Sequence, residues 1–218
     1  MAYKAVIFDL DGTLLNTLGD LADAVNFGLT QHGLPPRTEN EILAFLGNGI
    51  RRLVECAMPE GASEAQTDAV FAAFRSRYSR HYLDKTAPYP GMVELCGALK
   101  QRGVKTALVT NKTDPIAQEI YRACFGEVIP LAIGEQPGYA KKPAPDMVDA
   151  ALAQLGAAKA EAVYVGDSEV DLATARTSAL PCILVDWGFR SRAFLETLGS
   201  VPIVSSPKEL FEQLTIES

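Results

Sequence analysis

Residues 5–13 read AVIFDLDGT, an apolar run that ends in two aspartates, a glycine and a threonine. A short apolar run closed by turn-forming residues predicts a buried strand of a parallel sheet. Because side chains alternate along a strand, Asp9 and Asp11 are expected to point the same way at its carboxyl end. Two adjacent carboxylates repel each other unless a divalent cation neutralises one of them. The alternative interpretation is a turn in which Asp11 serves only as a cap.

Similar apolar runs recur along the chain and alternate with helical patterns. The further runs are residues 106–110, 128–133, 162–166 and 182–186, with a weaker one at 203–205. The helical patterns between them cover residues 92–102, 115–124 and 145–155. This alternation predicts an α/β fold with an open parallel sheet, and in such sheets ligands bind beyond the carboxyl ends of the strands.

One segment interrupts the alternation of strands and helices. From residue 17 to about residue 82 the sequence contains helical patterns and no convincing strand. We therefore predict an all-helical domain of residues 16–82, inserted into a core made of residues 1–15 and 83–218. Its first helix is expected to begin with Thr17 and Asp20 in a spacing that resembles a capping box.

The composition limits the classes of partner. The chain has 218 residues, of which 48% are hydrophobic, and a formal net charge of −7. Such a chain offers no basic face for nucleic acid or for an anionic membrane. The first apolar run is too short for a signal peptide or a membrane span, so we expect a cytoplasmic protein. The four cysteines lack a Cys-x-x-Cys pair, which favours reduced thiols over a zinc site.

Two further positions are typical of phosphate binding. Thr110 and Asn111 end the second predicted strand, where a hydroxyl and backbone N–H groups can hold phosphoryl oxygens. Lys142 lies at the start of a predicted helix, where a cation is electrostatically misplaced unless it faces an anion. The alternatives are helix capping by Thr110 and Asn111, and a solvated surface lysine.

Acidic residues return after a later strand. Residues 166–171 read GDSEVD, which brings Asp167 and Asp171 to the end of the buried run 162–166. Mg²⁺ is a hard cation that prefers such carboxylate oxygens. Asp167 is alternatively the N-cap of the helix that follows.

In this order, the motifs are similar to those of the haloacid dehalogenase superfamily, which are Asp-x-Asp-x-Thr, Ser/Thr, Lys and Gly-Asp-x-x-x-Asp. The match spans the whole chain, and it implies a Rossmann-like core with an all-helical cap domain inserted after the first strand. Residues 6–14, 46–49 and 89–91 are most similar to phosphoglycolate phosphatase and its relatives. The resemblance therefore implies a phosphoric monoester hydrolase that acts on a small phosphorylated metabolite.

The resemblance also implies a role for each residue of the motifs. Asp9 would attack phosphorus and form an aspartyl-phosphate, while Asp11 would protonate the leaving alkoxide and later activate water. Mg²⁺ would be bound by Asp9, the backbone carbonyl of Asp11 and Asp167, with Asp171 adjacent to these ligands. The groups that would complete the phosphate clamp are Thr110, the Asn111 backbone and Lys142.

Other activities of the superfamily fit the sequence less well. Asp11 disfavours a dehalogenase, because a halide leaving group needs no proton. No lysine occurs between Lys4 and Lys85, which excludes phosphonate cleavage through a lysine of the cap. A sugar phosphomutase of the same superfamily and a non-catalytic phosphate-binding regulatory module remain as alternatives.

The cap contains one candidate for substrate selection, the loop Gly47-Asn48-Gly49 followed by Arg51 and Arg52. Glycines let the backbone approach a ligand closely, and a helix start supplies N–H donors. This loop is therefore suited to contact the non-phosphate end of a small acidic substrate. A helix cap with two solvated arginines is an equally good interpretation, and both remain open.

Overall fold

A computed structural model describes residues 3–47 and 49–215, and the chain forms two compact units. The core unit comprises Met1–Leu15 and Pro88–Ser218, and the helical unit comprises Asn16–Ala87. Within the described residues, none of the helices combines the length and the apolar character that crossing a lipid bilayer requires.

The core unit is built on a parallel six-stranded sheet, and a separate two-stranded pair lies where the chain passes between the units. The strands are β1 Ala5–Phe8, β2 Leu15–Asn16, β3 Ala87–Pro88, β4 Lys105–Thr113, β5 Leu131–Glu135, β6 Ala162–Gly166, β7 Cys182–Val185 and β8 Ile203–Val204. The large sheet has the order β5-β4-β1-β6-β7-β8, and β2 pairs with β3. This arrangement confirms the predicted α/β fold with a parallel sheet.

The helices alternate with these strands in the core and follow one another in the helical unit. They are α1 Leu18–Gln31, α2 Glu39–Phe45, α3 Ile50–Ala57, α4 Glu64–Tyr78, α5 Met92–Gln101, α6 Asp114–Cys124, α7 Asp146–Leu155, α8 Glu169–Thr177, α9 Arg192–Glu196 and α10 Pro207–Thr215. Helix α7 ends at Gly156 in the left-handed conformation, which is the usual glycine stop signal.

Strand β1 is central in the sheet and is fully buried along its length. Ala5 pairs with Lys105 of β4 on one side and with Ala162 of β6 on the other. The alternate residues Ala5 and Ile7 belong to one hydrophobic cluster, which α7 and α8 complete with Val148, Leu172 and their neighbours. Burial on both faces explains why the run is continuously apolar rather than alternating.

Two strands differ from the predicted bounds in ways that concern the site. Strand β4 continues to Thr113, and its pairing with β5 shifts register between Val109 and Thr113. Such irregularities redirect side chains at sheet ends. Strand β5 begins at Leu131, because the amides of Val128 and Ile129 both bond to the Phe125 carbonyl in the turn that ends α6.

The helical unit packs α1 against α4 through apolar stripes. The stripe of α1 includes Leu21, Val25 and Leu29, and all three side chains are buried. The approach is close at Gly28, where an added Cβ would lie 2.8 Å from the Val70 carbonyl oxygen. A glycine is therefore needed at this crossing.

The capping box predicted at Thr17 is wrong. Among the residues that the structure describes, the Thr17 hydroxyl has no capping partner. The buried Asp20 carboxylate instead accepts hydrogen bonds of 2.9 Å from the amides of Lys85 and Thr86. These bonds attach the end of the segment to α1, so the helical unit extends to Ala87 rather than ending at residue 82.

Candidate active site

The predicted site residues of the core unit lie at the carboxyl ends of three neighbouring strands. Asp9 directly follows β1, Thr110 and Asn111 lie in the last part of β4, and Asp167 directly follows β6. Because these strands are adjacent and parallel, their ends meet at one edge of the sheet. This is the edge at which open α/β sheets bind ligands.

A buried lysine contacts one carboxylate that follows β1 and another in the first turn of α8. The Lys142 ammonium lies 2.5 Å from Oδ1 of Asp9 and 2.9 Å from Oδ1 of Asp171, and only 4% of its side chain is exposed. The Tyr164 hydroxyl accepts a 3.0 Å hydrogen bond from the same ammonium and donates a 3.1 Å bond to Asp171. The anionic partner expected for Lys142 is thus a pair of carboxylates of the protein itself.

Asp171 uses its second oxygen to organise the turn before α8. Its Oδ2 accepts hydrogen bonds from the Asp167 amide, the Ser168 amide and the Ser168 hydroxyl, at 3.2, 3.1 and 2.6 Å. Ser168 and Asp171 form the capping box of α8, so Ser168, not Asp167, is the N-cap. Gly166 is needed here, because an added Cβ would lie 2.2 Å from that of Asp171.

The electrostatics of this cluster indicate a shortage of positive charge. Burial, with the nearby charge of Asp171, raises the pKa of Asp9 to about 7 in spite of Lys142. Burial and the charges of Asp171 and Asp9 also raise the pKa of Asp167 well above its ordinary value. Burial alone would lower the pKa of Lys142, but Asp171 and Asp9 raise it well above the ordinary value, so it stays an ammonium.

The same residues fit a divalent cation. One carboxylate oxygen each of Asp9, Asp167 and Asp171 lie within 4.8 Å of one another, and all three residues are buried. The Thr13 hydroxyl lies between two of them, 3.4 Å from Asp9 and 3.3 Å from Asp167. Three carboxylates beside one ammonium leave a net negative charge, which a hard cation with oxygen preference would neutralise.

Asp11 has a partner that the sequence motifs did not reveal. Its Oδ1 lies 3.1 Å from the Lys112 ammonium, and the Lys112 side chain is only 7% exposed. Lys112 is two residues beyond Thr110 on β4, so the alternation of side chains offered the only sequence signal for it. The site therefore contains a second lysine whose side chain is largely covered.

The Asn111 side chain is hydrogen-bonded to the backbone of Lys142. The carboxamide donates a 3.0 Å hydrogen bond to the Lys142 carbonyl and accepts a 2.8 Å bond from the Lys142 amide. The Thr110 hydroxyl accepts a bond from the Lys112 amide at 3.2 Å. The Asn111 side chain thus fixes the backbone that carries Lys142, a function that the motif did not indicate.

The candidate residues of the cap lie in the helical unit, and Asn48 lies outside the described residues. Gly49 precedes α3 with φ of 83°, a conformation that favours glycine. Arg51 forms ion pairs with Glu55 and Asp68, at 3.0 and 2.5 Å, and Arg52 lies 3.3 Å from Glu55. These contacts give both arginines partners within the helical unit.

Known proteins match this chain over most of its length. The family model for haloacid dehalogenase-like hydrolases matches residues 6–185. The phosphoglycolate phosphatase of Rhodospirillum rubrum is 33% identical over 208 residues, covering 92% of this chain and 86% of the relative. That of Caulobacter vibrioides is 34% identical over 218 residues, covering 96% and 92%.

A solved structure is similar over its full length. It is a crystal structure from Lactobacillus delbrueckii subsp. bulgaricus, for which phosphoglycolate phosphatase activity has been inferred. Its TM-score is 0.94 at 36% identity, with 100% of both chains covered. Together with the family match, this likeness confirms the resemblance carried by the sequence motifs. The chain therefore belongs to the haloacid dehalogenase-like hydrolase family.

Proposed function

We propose that this hydrolase is a Mg²⁺-dependent phosphatase that cleaves the phosphate monoester of a small metabolite, with 2-phosphoglycolate as the leading candidate. The observation that carries the proposal is the buried group of Asp9, Asp167, Asp171 and Lys142 at the carboxyl ends of the strands. The substrate candidate is supported by the relatives, which are named phosphoglycolate phosphatases.

The first half of the proposed reaction transfers the phosphoryl group to the enzyme. A carboxylate oxygen of Asp9 attacks phosphorus, forming an acyl-phosphate bond while the bond from phosphorus to the ester oxygen breaks. Asp11 gives its proton to the departing alkoxide, so the alcohol leaves neutral. Lys142, 2.5 Å from Asp9, favours the carboxylate form that the attack requires.

The second half returns the enzyme to its starting state. Water attacks phosphorus of the aspartyl-phosphate, and Asp11 takes up the proton that the water loses. The bond between phosphorus and Asp9 breaks, which releases inorganic phosphate and restores the carboxylate. Thr110, the Asn111 backbone and Lys142 stabilise the charge on the phosphoryl oxygens in both halves.

Asp9, Asp167 and the backbone carbonyl of Asp11 would hold Mg²⁺, and Asp171 lies beside them. The cation would supply charge neutralisation of the transferring phosphoryl group. The carboxylate cluster supports this assignment, because a phosphate dianion would otherwise meet several carboxylates in a chain whose net charge is −7.

The test is hydrolysis of p-nitrophenyl phosphate and 2-phosphoglycolate by the wild type and by Asp9→Asn, with Mg²⁺ or with chelator. We expect turnover only in the wild type with Mg²⁺, and Ca²⁺ should not replace Mg²⁺ because its coordination is larger and more flexible. Asn is nearly isosteric but is neither a competent nucleophile nor an anionic ligand. Near-wild-type turnover by Asp9→Asn would refute the nucleophile assignment.

A panel of substrates separates this proposal from its alternatives. A sugar phosphomutase would isomerise a sugar phosphate without releasing phosphate, and a regulatory module would bind phosphorylated ligands without turnover. We expect kcat/KM to be higher for 2-phosphoglycolate than for sugar phosphates, nucleotides or pyrophosphate. A higher value for another compound would keep the phosphatase mechanism and replace the proposed substrate.

A further inference from the structure

The loop that follows β7 contacts two parts of the site at once. The Trp187 indole N–H donates a 3.1 Å hydrogen bond to the Thr13 carbonyl, at the end of the segment that begins with Asp9. The Phe189 amide donates a 2.7 Å bond to Oδ2 of Asp167. One short loop therefore holds both the nucleophile segment and a proposed ligand of the cation.

Between these two contacts the loop leaves no room for a side chain. A Cβ added to Gly188 would lie 2.3 Å from the Gly12 carbonyl oxygen and 2.4 Å from Oδ2 of Asp167. Neither neighbour is the flexible end of a long side chain, since one is backbone and the other is a buried carboxylate. The close approach at Gly188 thus brings the Phe189 amide to Asp167.

The far end of the loop is fixed by an ion pair. Arg190 donates from Nε and Nη2 to the two carboxylate oxygens of Glu169, each at 2.8 Å. The Arg190 side chain is 12% exposed, and this two-bond geometry is the strong form of an arginine–carboxylate pair. Glu169 is the first residue of α8, two positions after Asp167. The loop is therefore bonded to the Asp167 turn through Phe189 and to the start of α8 through Arg190.

We propose that Trp187, Gly188 and the Phe189 amide are positioning residues that hold Asp167 in the orientation required to bind a divalent cation. The inference rests on the metal site of the proposed function. The Phe189 amide donates a hydrogen bond to Oδ2 of Asp167. The Trp187 indole holds the turn that contains Thr13, whose hydroxyl contacts the same carboxylate. Loss of a group that orients a metal ligand in this way typically lowers metal affinity by about 10–100-fold.

The test is Mg²⁺ binding measured by isothermal titration calorimetry on the full chain, without substrate. Gly188→Ala should raise the Mg²⁺ dissociation constant by about 10–100-fold, the range for lost outer contacts to metal ligands. Trp187→Phe removes a single hydrogen bond and should raise it by about 3–10-fold. Gly97→Ala is the matched control, because its Cβ would meet only Val128 Cγ1 at 3.8 Å, and its affinity should equal that of the wild type.

Circular dichroism of each variant shows whether it is folded. A folded Gly188→Ala with a dissociation constant within about twofold of the wild type would overturn the proposal. If Gly188→Ala does not fold, Trp187→Phe decides, and an unchanged constant in that variant overturns it as well. If the wild type itself does not bind Mg²⁺, the metal site of the proposed function is refuted. If the wild type and both variants bind Mg²⁺ equally well, only the positioning role of the loop is refuted.

Because Trp187 is the only tryptophan of the chain, its emission reports directly on the loop. In Gly188→Ala we expect a shift to longer wavelength, since displacement of the loop exposes the indole to water. An unshifted spectrum together with weakened Mg²⁺ binding would contradict the proposed route through the loop.

Discussion

Replacement of Lys142 by Met removes the ammonium of the site and keeps a chain of similar length. The ammonium is 2.5 Å from Asp9 and 2.9 Å from Asp171, and the side chains of all three residues are at most 8% exposed. Removal of one partner from a buried ion pair costs about 3–5 kcal/mol, because the remaining charge is left uncompensated. This is a large part of the roughly 5–15 kcal/mol by which folded proteins are stable.

Urea denaturation in chelator measures this loss as a change in the free energy of unfolding. Lys141→Met is the matched control, since the Lys141 side chain is 62% exposed and pairs with Glu135 at the surface. Such pairs contribute about 0–1 kcal/mol. The loss in Lys142→Met should be smaller at pH 5 than at pH 8, because protonation removes the uncompensated charge of the carboxylates.

Added Mg²⁺ should recover part of the stability of Lys142→Met. At a concentration one hundred times its dissociation constant, a ligand of the folded state contributes about 2.7 kcal/mol. Equal losses in Lys142→Met and Lys141→Met would refute the reasoning, because the buried ammonium would then be worth no more than a surface charge. A loss that did not depend on pH would show that the uncompensated carboxylates are not its cause.

Three further predictions concern single residues. In the metal-free protein, the pKa of Asp9 is raised by burial from 3.8 to about 7, so its contribution to stability is complete below about pH 4 and is lost as the pH rises through 7. Urea midpoints between pH 5 and 8 should therefore fall less steeply in Asp9→Asn than in the wild type. Asp20→Ala should destabilise the helical unit by about 1–3 kcal/mol, because two backbone amides lose their acceptor, and limited proteolysis near residue 85 should become faster. If the cap loop selects substrate, Arg52→Ala should raise KM for 2-phosphoglycolate more than for p-nitrophenyl phosphate, whereas Arg51→Ala, which breaks the Asp68 pair, should lower the melting temperature. Equal KM changes for both substrates would leave Arg52 as a surface residue.

The sequence predicts best the elements that are buried on both faces. The run 162–166 coincides with β6, and the run 182–186 differs from β7 only at its last residue. Residues 128 and 129 are equally apolar, but they form the turn after α6, and an apolar run does not distinguish these two uses. The absence of strand patterns predicts the helical insertion, whereas its end depends on the tertiary bonds of Asp20.

Each sequence motif identifies the charged residues at the end of a single strand. The motifs do not indicate how the groups pair, because the pairing depends on sheet order and register. The ion pair of Lys112 with Asp11 joins the ends of β4 and β1, and the bonds of Asn111 join β4 to the loop before α7. Trp187 lies in no motif considered for the site, and only the folded chain brings its indole to Thr13.

The central position of β1 has a consequence for synthesis of the chain on the ribosome. This strand is made first, yet its partners are β4 and β6, which are made much later. The helical unit is contiguous in sequence, so it is able to fold while the rest of the core is still being translated. Until residue 166 has emerged, at least one edge of this apolar strand is unpaired, and unpaired strand edges promote aggregation and chaperone binding.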